Sequence, residues 1–144
     1  MPVLAAVAFV WLGMVLAISF LEAPLKFRAP GVTVPLGLGI GRLVFRALNA
    51  VELVALLVVA GVLVAGPRPG GVVAAATAAA GTLVLQLVAV RPALTRRADA
   101  VLAGADAPRS RAHLAYVALE AVKVLALVAL GSTALAAVAG AVPA

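Results

Sequence analysis

The sequence predicts an all-α integral membrane protein, a four-helix bundle, from three observations. Apolar residues make up 66% of the 144-residue chain and charged residues only 11%, against about 45–50% and about 25% in a soluble domain. The mean hydropathy is +1.26, which also excludes a disordered chain, since disorder needs low hydrophobicity and high charge. The apolar residues gather into four runs, residues 3–21, 43–65, 72–90 and 114–138. Each is close to the roughly 20 helical residues needed to cross a hydrocarbon core of about 30 Å. Residues 1–144 therefore read as a single transmembrane domain.

The first run, Val3 to Leu21, has no charge. No Lys or Arg precedes it, and it exceeds the 7–15 apolar residues typical of a signal peptide, so it reads as a retained span. A long link, residues 22–42, follows. It holds Pro24, Pro30 and Pro35 with Gly31, Gly37, Gly39 and Gly41, yet Val32, Val34, Leu36, Leu38 and Ile40 make it too apolar for a free loop. It is expected to lie in the interface or dip back against the bundle. Thr33 before Val34-Pro35 reads as a helix cap, and Gly37 with Gly41 as a small-xxx-small pair that permits close packing. The second run is interrupted by Arg46, Asn49 and Glu52. Gly66-Pro67-Arg68-Pro69-Gly70-Gly71 then reads as a tight turn. The third run is polar only at Thr77, Thr82 and Gln86. The third link, residues 91–113, carries Arg91, Arg96, Arg97, Arg109 and Arg111, and the fourth run carries Glu120 and Lys123.

The basic residues set the expected orientation. Lys26, Arg28 and Arg42 lie in the first link and five arginines in the third, but only Arg68 lies in the second, and the termini have none. By the positive-inside rule the links 22–42 and 91–113 face the cytoplasm and both termini face out. The net charge of +6 is thereby explained by topology, and no nucleic-acid partner is expected. The expected partners are the lipid bilayer and, at the basic rim, anionic head groups.

The second run also falls on the fourth when shifted by 71 residues. Phe45 meets Tyr116, Ala47 meets Ala118, Leu48 meets Leu119, Asn49 meets Glu120, and Glu52 meets Lys123. Ala, Leu and Val align by chance in any apolar chain, but here the polar positions coincide too. The pattern reads as two helical hairpins in parallel repeat, related by an axis along the membrane normal.

Ionisable residues within a span are costly and usually face the protein interior or a water-filled cavity. At about 100° per residue, Arg42, Phe45, Arg46, Asn49 and Glu52 share one side of span two, and His113, Tyr116, Glu120 and Lys123 share one side of span four. Ser19, Glu22 and Lys26 share a stripe where span one ends, as do Thr82 and Gln86 near the end of span three. All lie in the cytoplasmic half. The expected result is a cytoplasm-facing polar cavity, cationic on balance, that would suit an anion. Its candidate residues are Arg42, Arg46, Asn49, Glu52, Gln86, Arg91, His113, Tyr116, Glu120 and Lys123. The structural alternative is that Glu52 with Lys123, or Glu120 with Arg46, are paired charges that fix helix register. Phe20, Phe27 and Tyr116 fit an aromatic belt, and Trp11 is expected to pack or face lipid. No catalytic residue is identified. With no Cys and a single His, His113, neither a metal site nor a cofactor is expected.

Arg46-Ala-Leu-Asn49-Ala-Val-Glu52 resembles the second-helix signature of the MAPEG proteins, membrane-associated proteins in eicosanoid and glutathione metabolism. That resemblance implies a small four-helix, usually trimeric, enzyme or regulator; the Asn-to-Glu spacing matches, with Arg46 one residue closer to Asn49. The overall layout, carried by Phe20-Leu-Glu-Ala-Pro-Leu-Lys-Phe27, Phe45 to Glu52 and His113 to Glu120, resembles uncharacterised bacterial four-helix inner-membrane proteins. It implies a multi-pass protein of the bacterial cytoplasmic membrane and assigns no activity. The leading functional expectation is transport or permeation of a small anionic solute, with a homo-oligomer expected because four helices leave little room for a pore. The alternatives are a membrane-embedded enzyme or binding module for a lipophilic anion, and an accessory subunit of a membrane complex. Enzyme activity is the less favoured reading.

Overall fold

A computed structural model describes residues 1–105 and 111–140. Four helices are long and apolar enough to cross a membrane: Pro2–Arg28, Val34–Ala65, Gly70–Leu102 and Arg111–Ala139. No strand occurs among the described residues. Links as short as residues 29–33 and 66–69 leave consecutive spans antiparallel. Span four packs extensively against spans one and three, whereas span two packs more lightly, against spans one and three. Only 22–39% of each span's most apolar window is buried, and residues such as Leu57, Val64, Val88 and Leu125 are 70–74% exposed. A helix apolar on its outer face as well as its inner one needs hydrocarbon as its solvent.

The spans run longer than the apolar runs because the links are largely helical. Span two starts at Val34, where the Thr33 hydroxyl accepts from the Leu36 N–H at 3.4 Å. The link expected over residues 22–42 is thus mostly span, and the chain free of helix is only residues 29–33. Span three likewise continues through the expected third link as far as Leu102; Arg109 lies outside the described residues. At the opposite end Arg68 folds back to donate to the Leu63 carbonyl at 2.7 Å and the Val64 carbonyl at 3.1 Å, satisfying acceptors that the end of span two leaves open.

Spans one and three each contain a wide turn. Leu16–Glu22 and Gln86–Val90 are π-helical, and each is followed two residues later by a proline, Pro24 and Pro92. A π-turn displaces one residue from the regular ladder. Proline, which has no N–H to place, sits where that mismatch falls, and the helix runs on.

The 71-residue offset seen in the sequence also relates the buried faces. Leu4, Ala5, Ala8, Trp11 and Val15 are the buried residues of span one, and Ala75, Ala76, Ala79, Thr82 and Gln86, each 71 positions on, are all buried in span three. Glu52, Ala55 and Val59 map in the same way onto Lys123, Ala126 and Leu130. The core away from the basic links is wholly apolar: Leu4, Ala8, Val59, Val72, Leu127, Leu130 and Ala134 are at most 1% exposed.

Close approach explains two glycines. A β-carbon at Gly131 would stand 2.6 Å from the Phe9 ring, and one at Gly37 would stand 2.2 Å from the ring of Phe27. Gly37 thus makes room for an aromatic side chain of span one. Gly131→Val should cost about 1–3 kcal/mol by overpacking and lower the thermal unfolding midpoint in detergent. Gly81→Ala, where nothing lies within 4 Å, should leave it unchanged or raise it.

Candidate functional site: a cationic cavity above a buried ionic floor

The ends of the spans that carry the basic links enclose a cavity of about 610 Å³. Every span contributes to it. Span one supplies Ser19, Phe20, Ala23, Pro24, Lys26 and Phe27; span two supplies Gly37, Leu38, Gly41, Arg42 and Phe45. Span three supplies Arg91, Leu94, Thr95, Arg97 and Ala98, and span four supplies His113, Tyr116, Val117 and Glu120. The wide turns place part of this lining: Ser19 and Phe20 lie within the first, and Arg91 directly follows the second. Such π-turns often occur at functional sites.

Glu120 closes the cavity from below. Its Oε1 accepts from the Tyr116 hydroxyl at 2.5 Å and from Ser19 Oγ at 3.1 Å, and its Oε2 lies 3.2 Å from Lys123 Nζ. One layer deeper, the Lys123 ammonium donates to Glu52 Oε1 at 2.5 Å and to Gln86 Oε1 at 2.7 Å. The Trp11 indole N–H donates to the same Glu52 oxygen at 2.9 Å. One ammonium therefore gathers side chains from spans two, three and four, and Trp11 adds span one. All of these groups are at most 2% exposed, except Tyr116 at 6% and the half-buried Ser19.

The cations of the cavity differ in how they are matched. Lys26 pairs with Glu22 at 3.3 Å, and Arg42 pairs with Asp99 at 2.5 Å across the seam between spans two and three. Arg91 has no carboxylate partner among the described residues. Its guanidinium lies over the Phe45 ring, 5.1 Å from the centroid, and its Nε is buried without a hydrogen-bond partner. Phe45 in turn meets Tyr116 edge-on at 5.5 Å between centroids. An aromatic face attracts a cation without occupying its N–H groups, so Arg91 is held while its donors stay available.

The candidates read from the sequence separate into three groups. Arg42, Arg91, His113, Tyr116 and Glu120 line the cavity. Glu52, Gln86 and Lys123 lie beneath it, sealed from solvent. Arg46 is exposed and Asn49 half-buried, and neither lines the cavity. The inner face of span two is set by Gly37, Gly41, Leu48, Glu52, Ala55 and Val59; Arg46, two residues before Leu48, lies about 200° around the helix from it. The pairing of Glu52 with Lys123 is present, whereas Glu120 is bonded to Ser19, Tyr116 and Lys123 rather than to Arg46. Tyr116, expected in an aromatic belt, is instead buried against Phe45. Ser19, Lys26, Phe45 and Arg97 line the cavity but stand outside the sequence candidates, and Trp11, expected to pack or face lipid, packs and also donates to Glu52. For Trp11, its position two helical turns before Ser19, on the side that carries the Ser19 and Glu22 stripe, was the available signal. Among the described residues no cluster of His, Cys, Asp or Glu could hold a metal ion.

No family model matches the chain, and no curated protein or solved structure matches it either.

Removing one member of a buried ion pair leaves a charge in the low-dielectric core, at a cost of about 3–5 kcal/mol. Lys123→Leu should therefore destabilise the protein by about that much, while Glu52→Leu combined with Lys123→Leu should lose far less than the two single losses added together. Thermal unfolding followed by circular dichroism checks this; additive losses would remove the energetic coupling.

Proposed function

We propose that the protein is a membrane carrier for a small organic anion, which it binds in the cavity at its basic end. The supporting observation is Arg91, a cation presented to the cavity on an aromatic support, with no carboxylate in ion-pair contact among the described residues and its Nε unpartnered. A volume of about 610 Å³ falls within the range of about 300–1,000 Å³ typical of small-molecule sites. The distribution of Lys and Arg supports a mouth that faces the cytoplasm. In this reading the floor of Glu120, Lys123, Glu52, Gln86 and Trp11 is the barrier between the cavity and the far side, and its rearrangement releases the solute.

An open aqueous channel is the less suitable form of this reading, because the core beyond the floor is apolar and tightly closed. That same closure favours a second reading, a binding module that holds its anion without moving it across.

Proteoliposomes provide the test, with benzenesulfonate as the solute because it stays ionised at ordinary pH. Uptake above protein-free vesicles is expected, falling at least tenfold in Arg91→Gln. Binding without uptake would replace the carrier by the binding module. Absence of both would overturn the anion site.

A further inference from the structure

The cavity has two chemically distinct parts, and together they define a ligand class. This step rests on the anion-binding reading above and narrows it. Much of the wall is apolar: Phe20, Phe27, Leu38, Phe45, Leu94 and Val117 all face the space. An inorganic anion would leave this surface wet and unused. An apolar body seated against it would release ordered water and gain about 25 cal/mol for each Å² of apolar surface buried.

Charge matching sets the head group. Lys26 is paired with Glu22, Arg42 with Asp99, and Lys123 with Glu52 and Glu120. Of these four cations Arg91 alone has no carboxylate in ion-pair contact among the described residues, and its Nε is buried without a hydrogen-bond partner, so it is distinguished by open N–H donors rather than by excess charge. A guanidinium held over a ring keeps its N–H donors open to a two-oxygen acceptor, the kind of partner with which Arg forms paired hydrogen bonds to carboxylates and related oxyanions. The Glu120 carboxylate, also in the lining, repels additional negative charge. Phe45 lies directly beneath Arg91, so the apolar wall begins next to the head-group site.

We infer that the cavity takes a monoanionic amphiphile, with its acidic head group on Arg91 and its apolar body among Phe20, Phe27 and Phe45. A membrane-derived acyl acid and a water-soluble aryl or alkyl acid share this chemistry. The two sources differ in the route of arrival. A soluble acid enters from the aqueous mouth, whereas an acyl acid partitions first into the bilayer.

The test uses the full chain in nanodiscs of zwitterionic lipid, with empty nanodiscs as background. The probes are octanesulfonate, methanesulfonate as the head alone, 1-octanol as the tail alone, and octyl phosphate at pH 8.5 as a dianion. Octanesulfonate should bind one to one and at least tenfold more tightly than methanesulfonate, octanol or octyl phosphate. Arg91→Gln should weaken it at least tenfold while the unfolding midpoint stays near that of the parent. Should Arg91→Gln fail to fold, Ala98→Trp fills the cavity without touching the head-group site, and should weaken octanesulfonate but leave methanesulfonate unchanged. Equal binding of methanesulfonate and octanesulfonate would overturn the amphiphile and leave the anion site standing. Tighter binding of octyl phosphate would overturn the single-charge head group. Octanol binding as tightly as octanesulfonate, or no probe binding above empty nanodiscs, would overturn this inference and the anion site together. Benzenesulfonate, a singly charged aryl acid that stays in water, distinguishes the sources: competition with octanesulfonate supports arrival from water, and failure to compete supports arrival from the membrane.

Discussion

The Lys123 ammonium is the point on which the bundle depends. It is fully buried, with Glu52 at 2.5 Å, Gln86 at 2.7 Å and Glu120 at 3.2 Å. In hydrocarbon no water can replace a lost partner, so the contacts are needed together. Apolar packing between membrane helices is weakly specific, because lipid tails are as apolar as leucine. The three polar contacts supply the specificity that packing lacks. They fix how far each helix may slide or turn relative to span four. Trp11, hydrogen-bonded to the same Glu52 oxygen, brings span one into register.

The floor made by this cluster divides the molecule into two regions of different character. On one side the core is closed, small and apolar, with alanines and Gly131 allowing close approach. On the other the spans hold a cavity that combines aromatic rings with cations. The wide turns lie near this boundary in spans one and three. They change which side chains face inward, so Ser19 and Arg91 point into a space that a regular helix would direct elsewhere. The prolines that follow them keep the helices going past the boundary and so lengthen the cavity wall.

The two halves of the chain share a scaffold but differ at the site. Positions 71 residues apart meet each other across the bundle, Phe45 with Tyr116 and Glu52 with Lys123. Had both halves carried the same residue at the second of these pairs, like charges would have met in the core, at a cost of several kcal/mol for each unpaired ion. Opposite charges at equivalent positions convert a symmetric scaffold into a mutually satisfied pair. The second half also supplies Gln86, Arg91 and Glu120, where the first half has Val15, Phe20 and Asn49 at the equivalent positions. This asymmetry makes a single cavity rather than two.

The sequence by itself determined the four membrane-length helices, their antiparallel order, the Thr33 cap and the polar end of the bundle. These follow from composition, periodicity and local chemistry, which act over a few residues and do not require knowledge of neighbours. The pairing of Glu52 with Lys123 was legible as well, because both charges had to be satisfied in hydrocarbon and each fell on the polar side of its helix. Tertiary structure alone decided the rest. Arg46 and Arg42 are four residues apart on one helix, yet only Arg42 lines the cavity, because the wide face assigned to span two was narrower in the packed bundle. Trp11 carries no charge to mark it as polar, and its role appeared only when span one was set beside Glu52. Arg91 was legible as a cavity candidate, but its sequence places it in a loop; only the π-turn and Pro92, which carry span three past it, set its guanidinium over Phe45. A helix's own sequence specifies which residues share a side; which of those sides meet, and at what depth, is settled by the simultaneous packing of all four.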